Sequence, residues 1–134
     1  MLLSFVIIDD RELDCYIAEK IIEKTGRCSD CKSFYDARSA LAYINSHTPV
    51  NPTVILLDIM MPVMTGFGFI EVFETLPESV RNQYHIVPIT TSLNQNEIDL
   101  MNSYSSVVEV LRKPYSFAEL NTVLNTIIQK ISNG

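Results

Sequence analysis

The sequence predicts an α/β domain built on a doubly wound parallel sheet of five strands. Short apolar runs alternate five times with segments whose apolar residues recur at helical spacing. The run Val54–Leu57 is apolar without interruption, which is typical of a strand buried on both faces. Right-handed crossovers between parallel strands then place helices on both faces of the sheet.

Length and charge narrow the class of protein further. The chain has 134 residues and a net charge of −6, which disfavours binding to nucleic acid or anionic membranes. It contains no apolar stretch of the roughly 18 residues needed to span a bilayer. The first residues run directly into Asp9 and Asp10 and lack the basic start of a signal peptide. We expect one domain over residues 1–134, cytoplasmic, with no output domain.

Each predicted strand is an apolar run that ends in polar or turn-forming residues. The first is apolar almost throughout, the second is weaker, and the third lies between Pro52 and the loop that contains Pro62. The predicted strands are Leu2–Ile8, Cys31–Tyr35, Val54–Leu57, Ile86–Thr90 and Val107–Leu111.

The predicted helices are bounded by recognisable start and stop signals. Gly26 ends the first helix, about Glu12 to Thr25, and Asp36 is the predicted N-cap of the second, which fades at residues 45–46. The third carries apolar residues from Phe69 to Leu76 and stops before Pro77. Capping boxes open the last two helices: Asn94–Glu97 and Ser116–Glu119. Residues 78–84 are predicted to be a polar loop.

Three cysteines, an odd number, argue against a disulfide scaffold. Cys28 and Cys31 form a Cys-x-x-Cys pair in a stretch predicted to be a loop. A zinc site needs two further ligands, and no histidine has the supporting spacing. We therefore interpret the pair as incidental thiols, and Cys15 as a small core residue of the first helix.

Polar residues stand at the carboxyl ends of four predicted strands, where parallel sheets bind their ligands. Because these ends meet at one edge of the sheet, three carboxylates, a hydroxyl and an ammonium are expected in one crevice. They belong to Asp9, Asp10, Asp58, Thr90 and Lys113.

Such a cluster of carboxylates requires a counter-charge. Two carboxylates about 4 Å apart repel by about 4 kcal/mol at an effective dielectric constant of 20. Raised pKa values or a divalent cation offset this repulsion, and oxygen ligands favour a hard ion such as Mg²⁺. A phosphoryl group fits the remaining groups, since Lys113 neutralises its oxygens, Thr90 donates to it and a carboxylate accepts it.

These residues, with Met61-Pro62 and Gly66 after Asp58 and Pro114 after Lys113, resemble the receiver domain of two-component response regulators. The resemblance covers about residues 3 to 131. It implies a flavodoxin/CheY-like three-layer α/β/α fold with strand order 2-1-3-4-5. It also implies a signalling domain that accepts a phosphoryl group from a sensor histidine kinase or a phosphotransfer protein.

The resemblance assigns a role to each matching position. Asp58 is the implied phosphoacceptor, Asp10 the direct Mg²⁺ ligand, and Asp9 a ligand acting through water. Met60 would supply its backbone carbonyl to the metal. Thr90 and Lys113 would turn toward the phosphoryl group. The further implied features are a backbone amide contact from Thr91, a cis Lys113–Pro114 peptide, and a docking face made by the fourth helix, fifth strand and fifth helix for an unknown downstream protein.

One departure from the family pattern, and two residues beside the site, change what is expected. Val110 replaces the usual Tyr or Phe three residues before the lysine, and a short β-branched side chain cannot swing between buried and exposed positions over the same distance. We expect weak aromatic–threonine coupling. Met60 and Ser92, two positions beyond Asp58 and Thr90, are neither acidic nor amide-bearing, so we expect slow self-dephosphorylation.

Three alternatives compete with this interpretation. A pseudo-receiver would bind partners without phosphorylation, and Val110 keeps that reading open. A phosphatase with an aspartate nucleophile would need an acid two residues later, where Met60 stands. A flavin-binding protein of the same topology would need a Ser/Thr/Gly-rich loop after the first strand, and the residues there are Asp9-Asp10-Arg11-Glu12.

Overall fold

A computed structural model describes residues 1–91 and 93–134 of the chain. Its five strands are β1 (Leu3–Ile8), β2 (Cys28–Phe34), β3 (Thr53–Asp58), β4 (Tyr84–Thr90) and β5 (Leu111–Arg112). Its six helices are α1 (Glu12–Thr25), α2 (Ala37–Ser46), α3 (Gly66–Phe73), α4 (Glu78–Arg81), α5 (Gln95–Ser103) and α6 (Phe117–Asn133).

All strand pairs are parallel and the sheet order is β2-β1-β3-β4-β5, which confirms the predicted fold class. β1, β3 and β4 are buried along their whole length because helices cover both faces of the sheet. One core cluster lies under α2, α3 and α5, and the other lies under α1 and α6. No helix in the described ranges is long and apolar enough to cross a membrane.

The helix boundaries follow the capping signals closely. Gly26 ends α1 in the left-handed conformation, with φ of 69°. The side chain of Asp36 accepts a hydrogen bond from the Ser39 backbone N–H. Both predicted capping boxes form, at the starts of α5 and α6. α3 ends at Phe73, three residues before the predicted Leu76.

The predicted starts of the second and fourth strands were wrong, and so was the prediction of a loop over residues 78–84. β2 begins at Cys28, three residues before the predicted start at Cys31, so the whole Cys-x-x-Cys pair lies in the strand and not in a loop. Most of this edge strand is exposed, and it therefore lacks the apolar run on which the prediction depended. Residues 78–81 form the single turn α4, and β4 begins at Tyr84, inside the predicted polar loop.

The predicted fifth strand, Val107–Leu111, is interrupted. Ile86 is opposite Val107 and Thr90 is opposite Arg112, so the β5 side carries one extra residue between these pairs. Ile86 exchanges hydrogen bonds with Ser106 and Val108, so alternate residues of β4, including Pro88, direct their backbone toward this side. Pro88 has no N–H to donate. The missing donor and the extra residue explain why regular pairing resumes only at Leu111.

Candidate functional site

The three predicted acidic residues come together at the carboxyl end of the sheet. Asp9 and Asp10 follow β1, and Asp58 is the last residue of the neighbouring strand β3. One carboxylate oxygen from each lies within 4.8 Å of the others. Asp9 and Asp58 are only 5% and 6% exposed, whereas Asp10 faces solvent. The cluster is therefore a half-open group of hard oxygen donors.

The buried, acidic surroundings of Asp58 raise the pKa of its carboxyl group. Burial and the nearby Asp9 carboxylate raise its pKa to about 6, against the opposing effects of Lys113 and the Met60 backbone N–H. The Met60 N–H donates to Asp58 Oδ1 at 3.3 Å. Asp58 is thus mostly ionised at neutral pH, but its charge is poorly compensated in the absence of a cation.

Lys113 supplies the positive charge of the site. Its Nζ lies 3.0 Å from Asp9 Oδ2 and 3.9 Å from Asp58 Oδ1. Burial acts to lower the pKa of Lys113, but hydrogen bonds to Asp9 and Asp14 outweigh it, and the pKa lies above its ordinary value. The Lys113–Pro114 peptide is cis, in the form that the resemblance implies. The backbone N–H of Lys113 donates to the backbone carbonyl of Thr90 at 2.8 Å, which fixes the Lys113 backbone to the end of β4.

Asp14 was missed by the sequence reasoning. Its Oδ2 lies 3.1 Å from Lys113 Nζ, much closer than Asp58 comes to the same atom. Asp14 lies in the first turn of α1, four residues after Asp10. Its place in the chain close behind the acidic pair Asp9-Asp10 was an available signal, but the prediction depended on residues at strand ends.

The two threonines after β4 differ in exposure. Thr90 is the last residue of β4 and is 1% exposed. Thr91 is exposed and lines a pocket of about 280 Å³ together with Asp58, Met60 and Lys113. Met60 is 66% exposed at this pocket, so its side chain does not close the site. Ser92 lies outside the described residues.

Val110 is half-buried within the interrupted part of the β5 side. It packs against the core cluster under α2, α3 and α5, as does the half-buried Tyr104. Tyr115 packs against the opposite cluster, under α1 and α6. The two aromatic residues nearest in sequence to Val110 therefore lie on different faces of the sheet.

The donor set fits a magnesium ion. Three carboxylates within 4.8 Å of one another offer only oxygen ligands, one of them is exposed, and the pocket beside them leaves room for water and a phosphate. Mg²⁺ favours this combination of few carboxylates with retained waters.

Comparison with known proteins identifies the family. The family model described as "Response regulator receiver domain" matches residues 5–125. The chain belongs to this family of two-component signalling domains. Structural neighbours agree: a response regulator receiver protein from Dyadobacter fermentans is 29% identical with a TM-score of 0.83, covering 92% of this chain and 96% of that one. A two-component response regulator from Cytophaga hutchinsonii has the same fold, with 21% identity, a TM-score of 0.86 and coverage of 96% and 98%.

Relatives found by sequence are much longer proteins. The DNA-binding transcriptional regulator NtrC of Proteus hauseri is 25% identical over 124 residues, which is 91% of this chain and 24% of that protein. The hybrid signal transduction histidine kinase C of Dictyostelium discoideum is 24% identical over 135 residues, covering 98% of this chain and 10% of the kinase. The chain thus corresponds to one part of each.

Proposed function

We propose that Asp58 accepts a phosphoryl group from a sensor histidine kinase or a phosphotransfer protein, in a reaction that requires Mg²⁺. One observation carries this proposal. Asp58 shares a site with two further carboxylates within 4.8 Å and with an ammonium group 3.9 Å away. The two kinds of relative, a response regulator and a hybrid histidine kinase, are consistent with such a donor.

Four residues would hold the metal ion. Asp10 and Asp58 would be direct ligands, Asp9 would act through water, and Met60 would contribute its backbone carbonyl. The bound ion would supply charge neutralisation to the incoming phosphoryl oxygens. Carboxylates that repel one another in its absence would then become favourable ligands.

The transfer itself is a displacement at phosphorus. An Oδ atom of Asp58 attacks the phosphorus, the P–N bond to the donor histidine breaks, and the imidazole nitrogen keeps the bond's electron pair. A pKa of about 6 leaves most Asp58 side chains ionised and ready to attack at pH 7 to 8. Lys113, the Thr90 hydroxyl and the Thr91 backbone N–H would then donate to the phosphoryl oxygens. The domain would catalyse only its own phosphorylation and dephosphorylation.

Phosphorylation would act on partners through the face made by α5, β5 and α6, which correspond to the predicted fourth helix, fifth strand and fifth helix. The added group brings roughly two negative charges to the end of the sheet. Thr90 and Lys113 stand on either side of the β4–β5 pairing, so their movement would displace the adjoining α5–β5–α6 face. To change the ratio of two conformations of this face from 1:99 to 99:1 requires about 5.5 kcal/mol of differential interaction. Several charge-assisted hydrogen bonds can supply this amount. The downstream partner is a protein, and the cytoplasm, where phosphoryl donors are made, is the proposed location.

Val110 supports a second candidate function, a pseudo-receiver that binds partners without phosphorylation. The residue occupies the switch position with a side chain too short for the usual aromatic movement, and the interrupted strand surrounds it. In that case the acidic cluster would serve only to bind a cation or to hold Lys113.

A small phosphodonor separates the two functions. Purified protein is incubated with acetyl phosphate and Mg²⁺, beside Asp58→Asn and beside a sample with EDTA, and intact masses are recorded. We expect one phosphoryl group on the wild type and none on either control. Wild-type protein that stays unmodified by acetyl phosphate and phosphoramidate would favour the pseudo-receiver.

The same sample tests the expected slow self-dephosphorylation. After removal of the donor, the phosphorylated fraction is followed by mass. Because Met60 brings no acid or amide to the pocket, we expect a lifetime of many minutes. A lifetime of seconds would contradict this expectation.

A further inference from the structure

The position of the Lys113 ammonium indicates that another anion competes with a phosphoryl group on Asp58 for this ammonium. Its Nζ lies 3.0 Å from Asp9 and 3.1 Å from Asp14, but 3.9 Å from Asp58. The first two contacts are hydrogen bonds, and the third is only an ion pair. The ammonium is therefore drawn toward β1 and α1, and away from the proposed phosphoacceptor.

Asp14 differs from Asp9 in its place in the site. Asp9 belongs to the group of three carboxylates that can hold a metal ion, whereas Asp14 lies outside that group. A cation that engages Asp9 therefore leaves the Asp14–Lys113 pair in place. The side chains of Asp14 and Lys113 are 25% and 21% exposed, so water only partly screens their attraction.

The backbone holds Asp14 in this position. Asp14 lies in the first turn of the 14-residue helix α1, where the helix dipole favours a carboxylate. The loop before the helix is itself fixed, because the Arg11 N–H donates to Asp9 Oδ1 at 2.9 Å. The following residue, Cys15, is buried and its Sγ contacts the Asp9 carbonyl at 3.5 Å. Asp14 thus faces Lys113 from a turn that is anchored on both sides.

We propose that Asp14 is a positioning residue that restrains Lys113 and so weakens its pairing with a phosphoryl group on Asp58. The inference rests on the proposed function of Asp58. An ammonium has three N–H donors, and Asp9 and Asp14 accept two of them. Its third N–H is left for an acyl phosphate on Asp58, but Nζ lies 3.9 Å from Asp58 Oδ1, so Lys113 must lengthen its bond to Asp14 in order to approach. Asp14 therefore sets how readily the site closes on its phosphoryl group.

The test measures binding of beryllium fluoride, a tetrahedral stand-in for the phosphoryl group, at a fixed saturating concentration of Mg²⁺. Dissociation constants are obtained by NMR titration for the wild type and Asp14→Asn. Neutralising Asp14 while keeping its shape should tighten binding roughly three- to tenfold, the range for one partly screened charge-assisted contact. Asp14→Glu, which keeps the charge, should stay closer to the wild type than Asp14→Asn does.

Two controls separate this role from a general effect of charge. Glu12→Gln removes the same charge from the same helical turn, at an exposed residue. Among the residues that the structure describes, Lys113 pairs with Asp9, Asp14 and Asp58 and not with Glu12, so this substitution should leave the dissociation constant unchanged. In a Lys113→Met background the effect of Asp14→Asn should disappear, because Asp14 acts through the ammonium.

The outcomes are distinct. Equal or weaker binding by Asp14→Asn, or an unchanged effect of that substitution in the Lys113→Met background, would overturn the role of Asp14 while wild-type binding still supported the proposed function. A wild type that fails to bind beryllium fluoride with Mg²⁺ would overturn both.

Discussion

The two sides of the site are built very differently. On one side Asp58 ends β3, a fully buried central strand with a regular ladder to β1 and another to β4. On the other side Lys113 follows β5, which has two residues in regular pairing and an irregular approach at residues 108–110. Asp58 is therefore held rigidly, whereas Lys113 and Val110 lie on the less restrained side. The proposed phosphorylation switch would need this division, because the chemistry requires fixed geometry and the response requires movement.

Hydrogen exchange should show the largest difference between the two sides. The amides of Glu109 and Val110 should exchange about a thousandfold or more faster than those of Leu56 and Leu57, because local opening costs much less than unfolding the central strand. NMR-detected exchange on the unphosphorylated protein measures both rates. Pro88→Ala adds a backbone N–H directed toward the irregular segment and should reduce the difference between the two exchange rates. Equal protection at both places would contradict the comparison.

Gly66 tests how tightly the β3 side is packed. A Cβ at this position would lie 2.8 Å from Ile59 Cα and 3.1 Å from the Asp58 carbonyl oxygen, both of them backbone atoms at the end of β3. Gly66→Ala should therefore lower the free energy of unfolding by about 2–3 kcal/mol in urea titrations.

Gly68→Ala is the matched control for Gly66→Ala. Gly68 lies in the same helix as Gly66, and its added Cβ would meet the flexible Met64 side chain at 3.2 Å. Alanine favours a helix over glycine, so we expect stability to be unchanged or raised by less than about 1 kcal/mol. A similar loss from both substitutions would show that the backbone around Asp58 is no tighter than the rest of α3.

The raised pKa of Asp58 predicts a pH-dependent gain from Asp58→Asn in metal-free protein. The folded pKa of about 6 lies above the unfolded value of 3.8, so the folded state binds more protons between these pH values. Stability contributed by the protonated carboxyl is complete below pH 4 and is lost as the pH rises through 6. At pH 7.5 with EDTA, Asp58→Asn should be more stable than the wild type by on the order of 3 kcal/mol.

This advantage should shrink toward pH 4, where both side chains are neutral. Glu71→Gln, a change at an exposed carboxylate, should show no such dependence when unfolded in urea at pH 7.5 and pH 4.5. An Asp58→Asn gain that is equal at both pH values would contradict the assigned cause.

The sequence predicted the rigid side of the site better than the other side. Val54–Leu57 and Asp58 carry an unmistakable pattern, since a strand buried on both faces must be apolar throughout. The capping boxes were equally informative, because they satisfy backbone groups locally. β2 was misplaced because an exposed edge strand needs no apolar run, and the interruption before β5 depends on Pro88 in the neighbouring strand. Asp14 was missed for a similar reason: its role depends on Lys113, 99 residues away.

The most direct test identifies the phosphorylated residue itself. Protein treated with acetyl phosphate and Mg²⁺ is reduced with borohydride, which converts an aspartyl phosphate to homoserine, and peptides are sequenced by mass spectrometry. We expect homoserine at position 58 alone, and none when EDTA replaces Mg²⁺. Homoserine at position 9 or 10, or modification that is independent of the metal, would contradict it.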